Sequence, residues 1–159
     1  MEIILNKVLF EKINFTKRYE ELSKKYSTAP SDDLLEILDI DLTKDIIESF
    51  GYKARYYRGE RFFRISDKKE GYDFYFNIAL DYGMAELIWA VYHNKELVRD
   101  VSVPWGVIYQ YLLHIKEYSG TPDYSRFRDY DELEDILRDV FDIWEDFKRE
   151  FLKEVHHKN

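Results

Sequence analysis

His114 and Glu117 stand three residues apart in a segment of helical apolar spacing. That interval places an imidazole and a carboxylate on one helix face, where they can share a proton or a metal ion. A working site needs a third ligand or a nucleophile from elsewhere, and the chain has no second histidine–acid pair to complete a metal box. The other histidines offer less: His93 falls at a strand end beside a turn, and His156 and His157 lie at the chain's end, where a helix frays. Asp39-Ile40-Asp41 has the look of a metal-holding acidic pair, but among 32 acids it reads more simply as a helix-end cap. With no cysteine there is no thiolate nucleophile, disulfide or Cys-ligated metal centre. The six glycines are isolated, so no phosphate-cradling loop is present, and no serine lies in a nucleophile elbow. The residues therefore favour a protein without catalysis, cofactor or metal, and an enzyme built on His114 and Glu117 is the third reading.

Charge is distributed more informatively than catalytic residue types. Asp129 to Asp146 holds nine of the 32 acids and one of the 24 bases, Arg138, and the rest of the chain balances at 23 of each. Part of this follows from helix physics: Asp129 and Glu132 have capping-box spacing, acids gather at the helix start, and Lys148, Arg149, Lys153 and Lys158 gather at its end. Asp139, Asp142, Glu145 and Asp146 are not explained this way. They have almost no base four residues on, ahead of Arg149, so their repulsion goes uncompensated along the helix. A basic partner is the reading that uses them. The candidate partner-binding set is Asp131, Glu134, Asp135, Asp139, Asp142, Glu145 and Asp146, with Tyr124 and Tyr130 at the rim.

A second patch has the opposite sign. Lys53 to Lys69 carries seven bases against Glu60 and Asp67, interleaved with Tyr56, Tyr57, Phe62 and Phe63. Bases mixed with aromatics on strands suit single-stranded nucleic acid. However, residues 31–48 hold seven acids against Lys44, and internal pairing between these neighbours outweighs nucleic acid as an explanation.

The elements that must position these residues follow from periodicity. Leu5, Val8, Phe15, Tyr19, Leu22 and Tyr26 predict one amphipathic helix ending before Pro30. A short helix from Ser31, turning Leu34, Leu35, Leu38 and Leu42 inward, and another from Thr43 to Phe50 stopped by Gly51, come next. Alternation then predicts five strands: Lys53 to Arg58, Arg61 to Ser66, Tyr72 to Leu80, Met84 to His93 and Glu96 to Val103, with turns at Gly59-Glu60, Asp67 to Gly71 and Asn94-Lys95. Pro104 opens a helix running to Tyr118 and closed by Gly120; Thr121 to Arg128 is a loop. The last helix steps through Tyr130, Leu133, Leu137, Val140, Trp144, Phe147 and Phe151. The predicted fold class is α+β: an antiparallel four- to five-stranded meander with N-terminal helices and two C-terminal helices packed on one face.

The 159 residues suit one globular domain, 1–159, and 28 aromatic residues, 14 of them tyrosine, suit core edges and protein interfaces alike. Neither a signal peptide nor an apolar run of membrane-spanning length is apparent, so a cytoplasmic protein is expected. In size, acidity, missing cysteine and missing catalytic motif the profile is similar to that of bacterial immunity proteins. That similarity implies an antitoxin-type inhibitor whose acidic face covers a basic surface of a cognate protein toxin, often a nuclease. A nucleic-acid-associated module using the Lys53–Lys69 hairpin is the alternative. Oligomeric state is not readable.

Overall fold

The computed structural model describes residues 4–26, 33–114 and 125–157. It is an α+β protein in which helices cover one face of an antiparallel sheet. No helix among the described residues is long and apolar enough to cross a membrane.

The N-terminal helix predicted as one is two, α1 (Lys7–Lys12) and α2 (Phe15–Lys24). Asn14 breaks it with φ 56°, a left-handed conformation that asparagine tolerates better than most residues. The break lets two rings share the core. In a continuous helix Phe10 and Phe15 would point about 140° apart, whereas here both are buried with centroids 6.0 Å apart. Val8, expected inside, is 61% exposed. The predicted helix start at Ser31 lies outside the described residues, and 33–38 is irregular. The next helix, α3 (Ile40–Glu48), starts earlier than Thr43: Asp39 Oδ1 accepts from the Leu42 N–H at 3.1 Å. Thr43 is instead buried, its hydroxyl donating to the Asp39 carbonyl at 2.7 Å. Gly51, φ 98°, ends the helix as predicted.

Strands β1 (Ala54–Tyr57), β2 (Phe62–Lys69), β3 (Tyr72–Ala79), β4 (Met84–His93) and β5 (Glu96–Leu97) form the predicted meander. β2 outruns its predicted end because Glu70 and Gly71, both with positive φ, make a two-residue turn that pairs Lys69 with Tyr72. Asn94 and Lys95 turn in the same way between β4 and β5. β5 stops after two residues, short of Val103. The Ser102 hydroxyl accepts from the Val91 N–H and donates to the Val98 carbonyl, so a side chain replaces ladder bonds while the chain bulges and Val101 turns fully inward.

Pro104 is the cap rather than the first residue of α4 (Trp105–Leu112). That helix ends at Leu112, followed by Leu113 and the left-handed His114, φ 58°; the rest of its predicted length to Tyr118 and the expected stop at Gly120 lie outside the described residues. Part of the predicted 121–128 loop is a strand, β6 (Ser125–Arg126), paired with Met84 and Ala85. The helix α5 (Tyr130–His157) follows its predicted stripe. Its Trp144, Phe147 and Phe151 meet Phe76, Trp89, Phe74 and Tyr72, with Phe147 stacked on Trp89 at 4.1 Å. The buried cluster runs from Leu5 to Leu152.

Gly83, ending a single 3₁₀ turn at Asp81–Gly83, joins three segments. Its carbonyl accepts from the Phe127 N–H at 2.9 Å, and the Phe127 carbonyl accepts from Leu35 at 3.1 Å.

Candidate functional site

The acids of α5 divide by helix face. At the start, Asp129 Oδ1 accepts from the Glu132 N–H at 2.9 Å, which is half of the expected capping box. The reciprocal bond is displaced by one residue, because the Glu132 carboxylate takes the Arg128 N–H and guanidinium at 2.7–3.1 Å. Those bonds hold Glu132, only 8% exposed, below the usual carboxylate range.

Along one flank the mid-helix acids have partners that the sequence of α5 does not contain. Arg18 of α2 donates to Asp146 at 2.7 Å, and Lys25, just beyond α2, reaches Asp139 at 2.8 Å and Asp135 at 3.1 Å. The Tyr26 hydroxyl adds a bond to Asp135 at 2.6 Å. Repulsion along α5 is therefore compensated across the α2–α5 interface as well as by pairs three residues apart within the helix, Arg149 with Asp146 and Lys148 with Glu145, both at 2.7 Å. The expectation that these charges lack partners is corrected for Asp139, Glu145 and Asp146, while Asp142 forms no ion pair among the described residues.

Hydrogen bonds from Tyr26 and then Lys25 lower the Asp135 pKa. Burial would raise that of Asp146, but bonds from Arg18 and Arg149 outweigh it and the net shift is down. Conversely, its bond to Asp135 pushes Tyr26 up to about 12, and Asp139 raises Lys25. Depressed carboxylates stabilise the fold above their unfolded pKa, near 4, and that contribution is lost as pH falls through the folded values. Raised groups stabilise below their unfolded pKa, near 10, and lose it as pH rises through the folded values. Thermal unfolding followed across pH should show a plateau that falls below about pH 4 and above about pH 10. Tyr26→Phe should reduce the alkaline fall.

The opposite flank holds a residue that sequence reasoning assigned only to the helix's basic end. Lys148 is 2% exposed, and its Nζ lies 2.7 Å from Asp67 of β2, 2.7 Å from Glu145, and 3.8 Å from the Trp144 ring centroid. Glu145 also accepts from the Tyr52 hydroxyl at 2.6 Å; burial first, then this bond, raises the Tyr52 pKa. No local signal marks Lys148. It joins α5 to the sheet through a carboxylate distant in sequence.

What remains on the solvent side is Asp131, Glu134 and Asp142. Among the described residues Asp131 and Asp142 form no ion pair, and Glu134 meets only Arg138, at 3.8 Å. Beside them runs α3: the Asp39 N–H donates to the Tyr130 hydroxyl at 2.9 Å, and Phe50 meets Phe141 at 5.2 Å, so the two helices run in the same direction. Exposed Asp41 and Asp45 of α3, likewise without ion pairs among the described residues, extend the acidic surface. Next to them Ile37 and Leu42 are 87% and 41% exposed, Leu42 against the inward orientation expected of it. Tyr124 lies outside the described residues.

Glu117 lies outside the described residues and His114 is exposed. His93 stacks on Tyr72 at 4.4 Å with Nδ1 3.2 Å from the Gly71 carbonyl, and His156 is 3.5 Å from Glu70. Asp39 is a cap, and among the described residues no group of three potential ligands gathers around a metal position.

The basic hairpin is placed differently from expectation. Among the described residues none of its bases pairs with the acids of 33–48: Arg61 takes Asp81 at 3.0 Å, Lys68 approaches Asp73 at 4.0 Å, and Lys53, Arg55, Arg58, Arg64 and Lys69 form no ion pair.

No family model, curated protein or solved structure matches the chain.

Proposed function

We propose that this is a non-catalytic binding protein of immunity or antitoxin type, which covers a basic surface of a cognate protein toxin with the face formed by α3 and the first half of α5. The observation that supports this most is the set of exposed carboxylates without ion pairs among the described residues: Asp131 and Asp142 on α5, Asp41 and Asp45 on α3. A fold that neutralises Asp135, Asp139, Glu145 and Asp146 so thoroughly leaves these free to act outside the molecule. Asp135, Asp139 and Asp146 then organise the helix pair, and Glu134 and Tyr130 border the contact.

Charge sets approach, and apolar groups set residence. Opposite potentials speed encounter and suppress wrong partners. Affinity comes from desolvated anchors, for which Ile37 and Leu42 stand exposed beside the carboxylates. The test is co-expression with the protein encoded by the adjacent reading frame, followed by purification at two salt concentrations. A complex that weakens with salt is expected. Asp131→Asn with Asp142→Asn should slow association roughly tenfold, and Ile37→Ser should speed dissociation. Absence of any complex at low salt would overturn the reading.

A further inference from the structure

The helices occupy one face of the sheet, and the other face is uncovered. Register assigns its residues: Arg55 and Tyr57 on β1, Phe62, Arg64 and Ser66 on β2, Tyr75 and Asn77 on β3, Tyr92 on β4, while their neighbours Ala54, Phe63, Ile65, Phe76 and Val91 are buried. Arg55 is directly opposite Arg64 in the antiparallel ladder. Like charges so placed repel, and among the described residues neither guanidinium has a carboxylate partner.

Aromatic faces hold them instead. Arg55 lies 5.0 Å from the Tyr57 centroid; Arg64 lies 5.3 Å from Tyr57, 5.7 Å from Phe62 and 4.9 Å from Tyr75. Arg64 Nε donates to Asn77 Oδ1 at 2.9 Å, which fixes its orientation. Tyr57 and Phe62 stack at 5.0 Å, and Tyr75 and Tyr92 meet edge to face at 5.7 Å. The two ring pairs lie on adjacent strand pairs, staggered along the strands, with Arg64 between them at 5.3 Å from Tyr57 and 4.9 Å from Tyr75 and Arg55 beside the first.

We propose that this sheet face binds single-stranded nucleic acid. Phosphates would relieve the Arg55–Arg64 repulsion that the protein leaves uncompensated, and bases would stack on the two ring pairs, with Ser66 and Asn77 offering hydrogen bonds between them. An acidic peptide would satisfy the arginines but leave the rings without partners of their kind. Of the carboxylates on this face, Glu86 is at its margin opposite Ala79, and Asp73, paired across the strands with Tyr92, has Lys68 at 4.0 Å. The proposed protein-binding surface belongs to the helical side, so both ligands can be held at once.

The experiment is fluorescence anisotropy of a labelled oligothymidylate of about twelve nucleotides with the full chain at low ionic strength, followed by a salt titration. Binding is expected, with the logarithm of affinity falling linearly against the logarithm of salt. Arg55→Gln with Arg64→Gln should weaken it at least tenfold and reduce the slope by about 1.4, the value for two lost phosphate contacts on a single strand. Tyr75→Leu should weaken binding with the slope unchanged, and Asp131→Asn should leave it intact. Circular dichroism verifies that each variant is folded. Any of three outcomes overturns the proposal: no binding at low salt, binding indifferent to the sheet-face variants, or displacement of the oligonucleotide by polyglutamate at equal charge concentration. A change in self-association without nucleic-acid binding would assign the face to a second copy of the chain and overturn it equally.

Discussion

Asp67→Asn combined with Glu145→Gln is expected to lower the free energy of unfolding by about 3–5 kcal/mol, read from urea denaturation. The double change strands the Lys148 ammonium, which is 2% exposed and has these two carboxylates as its only ion-pair partners among the described residues. A charge held out of water without compensation costs several kcal/mol. Each single variant should lose less, because one carboxylate remains and both are partly solvated, at 35% and 45% side-chain exposure. Lys148→Met, in contrast, removes the buried charge, keeps the volume of the stem against Trp144 and leaves the carboxylates partly in water. It should stay within about 1 kcal/mol of the parent or exceed it. Equal losses in the double variant and in Lys148→Met would show instead that the paired ammonium is itself stabilising, so that removing it costs as much as stranding it.

Gly83→Ala is expected to cost about 2–4 kcal/mol. Two penalties combine. The residue has φ +70°, which a side chain adopts at a cost, and an added Cβ would lie 2.7 Å from Leu34 Cβ, 2.8 Å from the Phe127 carbonyl oxygen and 3.0 Å from the Leu35 nitrogen. Two of these contacts are backbone and belong to the hydrogen-bonded junction of 34–35 with 127, so relief on one side breaks the other. Gly71→Ala is the control. It meets the same backbone penalty, φ +86°, with open space around the new methyl group, and should lose only about 1 kcal/mol. The difference between the two midpoints measures the steric part.

Much of the fold was legible because alternation and helical periodicity report burial directly. β4 was read to the residue, since Ala85, Leu87, Trp89 and Val91 alternate with more exposed neighbours and Asn94-Lys95 supplies a turn. α5 was equally plain. Failures came where tertiary contacts override local pattern: Asn14 divides a helix so that two phenylalanines can share one core, and a two-residue strand such as β6 carries no periodicity at all. The candidate site was legible in composition but not in pairing. Which acids of α5 are neutralised depends on Arg18 and Lys25, residues distant along the chain, as well as on Lys148 and Arg149 within the helix, and nothing near Asp139 distinguishes it from Asp142. Likewise, the open sheet face became visible only when the register set Arg55 against Arg64.

The order of elements has a consequence for biosynthesis. α5, whose Trp144, Phe147 and Phe151 cover the inner face of the sheet, is encoded after every strand. A chain emerging from the ribosome therefore carries Phe74, Phe76 and Trp89 on a sheet covered only by the earlier helices, through Phe10, Phe15 and Trp105, and cannot close its core until α5 is made. During that interval the nascent sheet is a surface prone to aggregation, and the time it stays open is set by translation of the last helix rather than by the rate at which the strands pair.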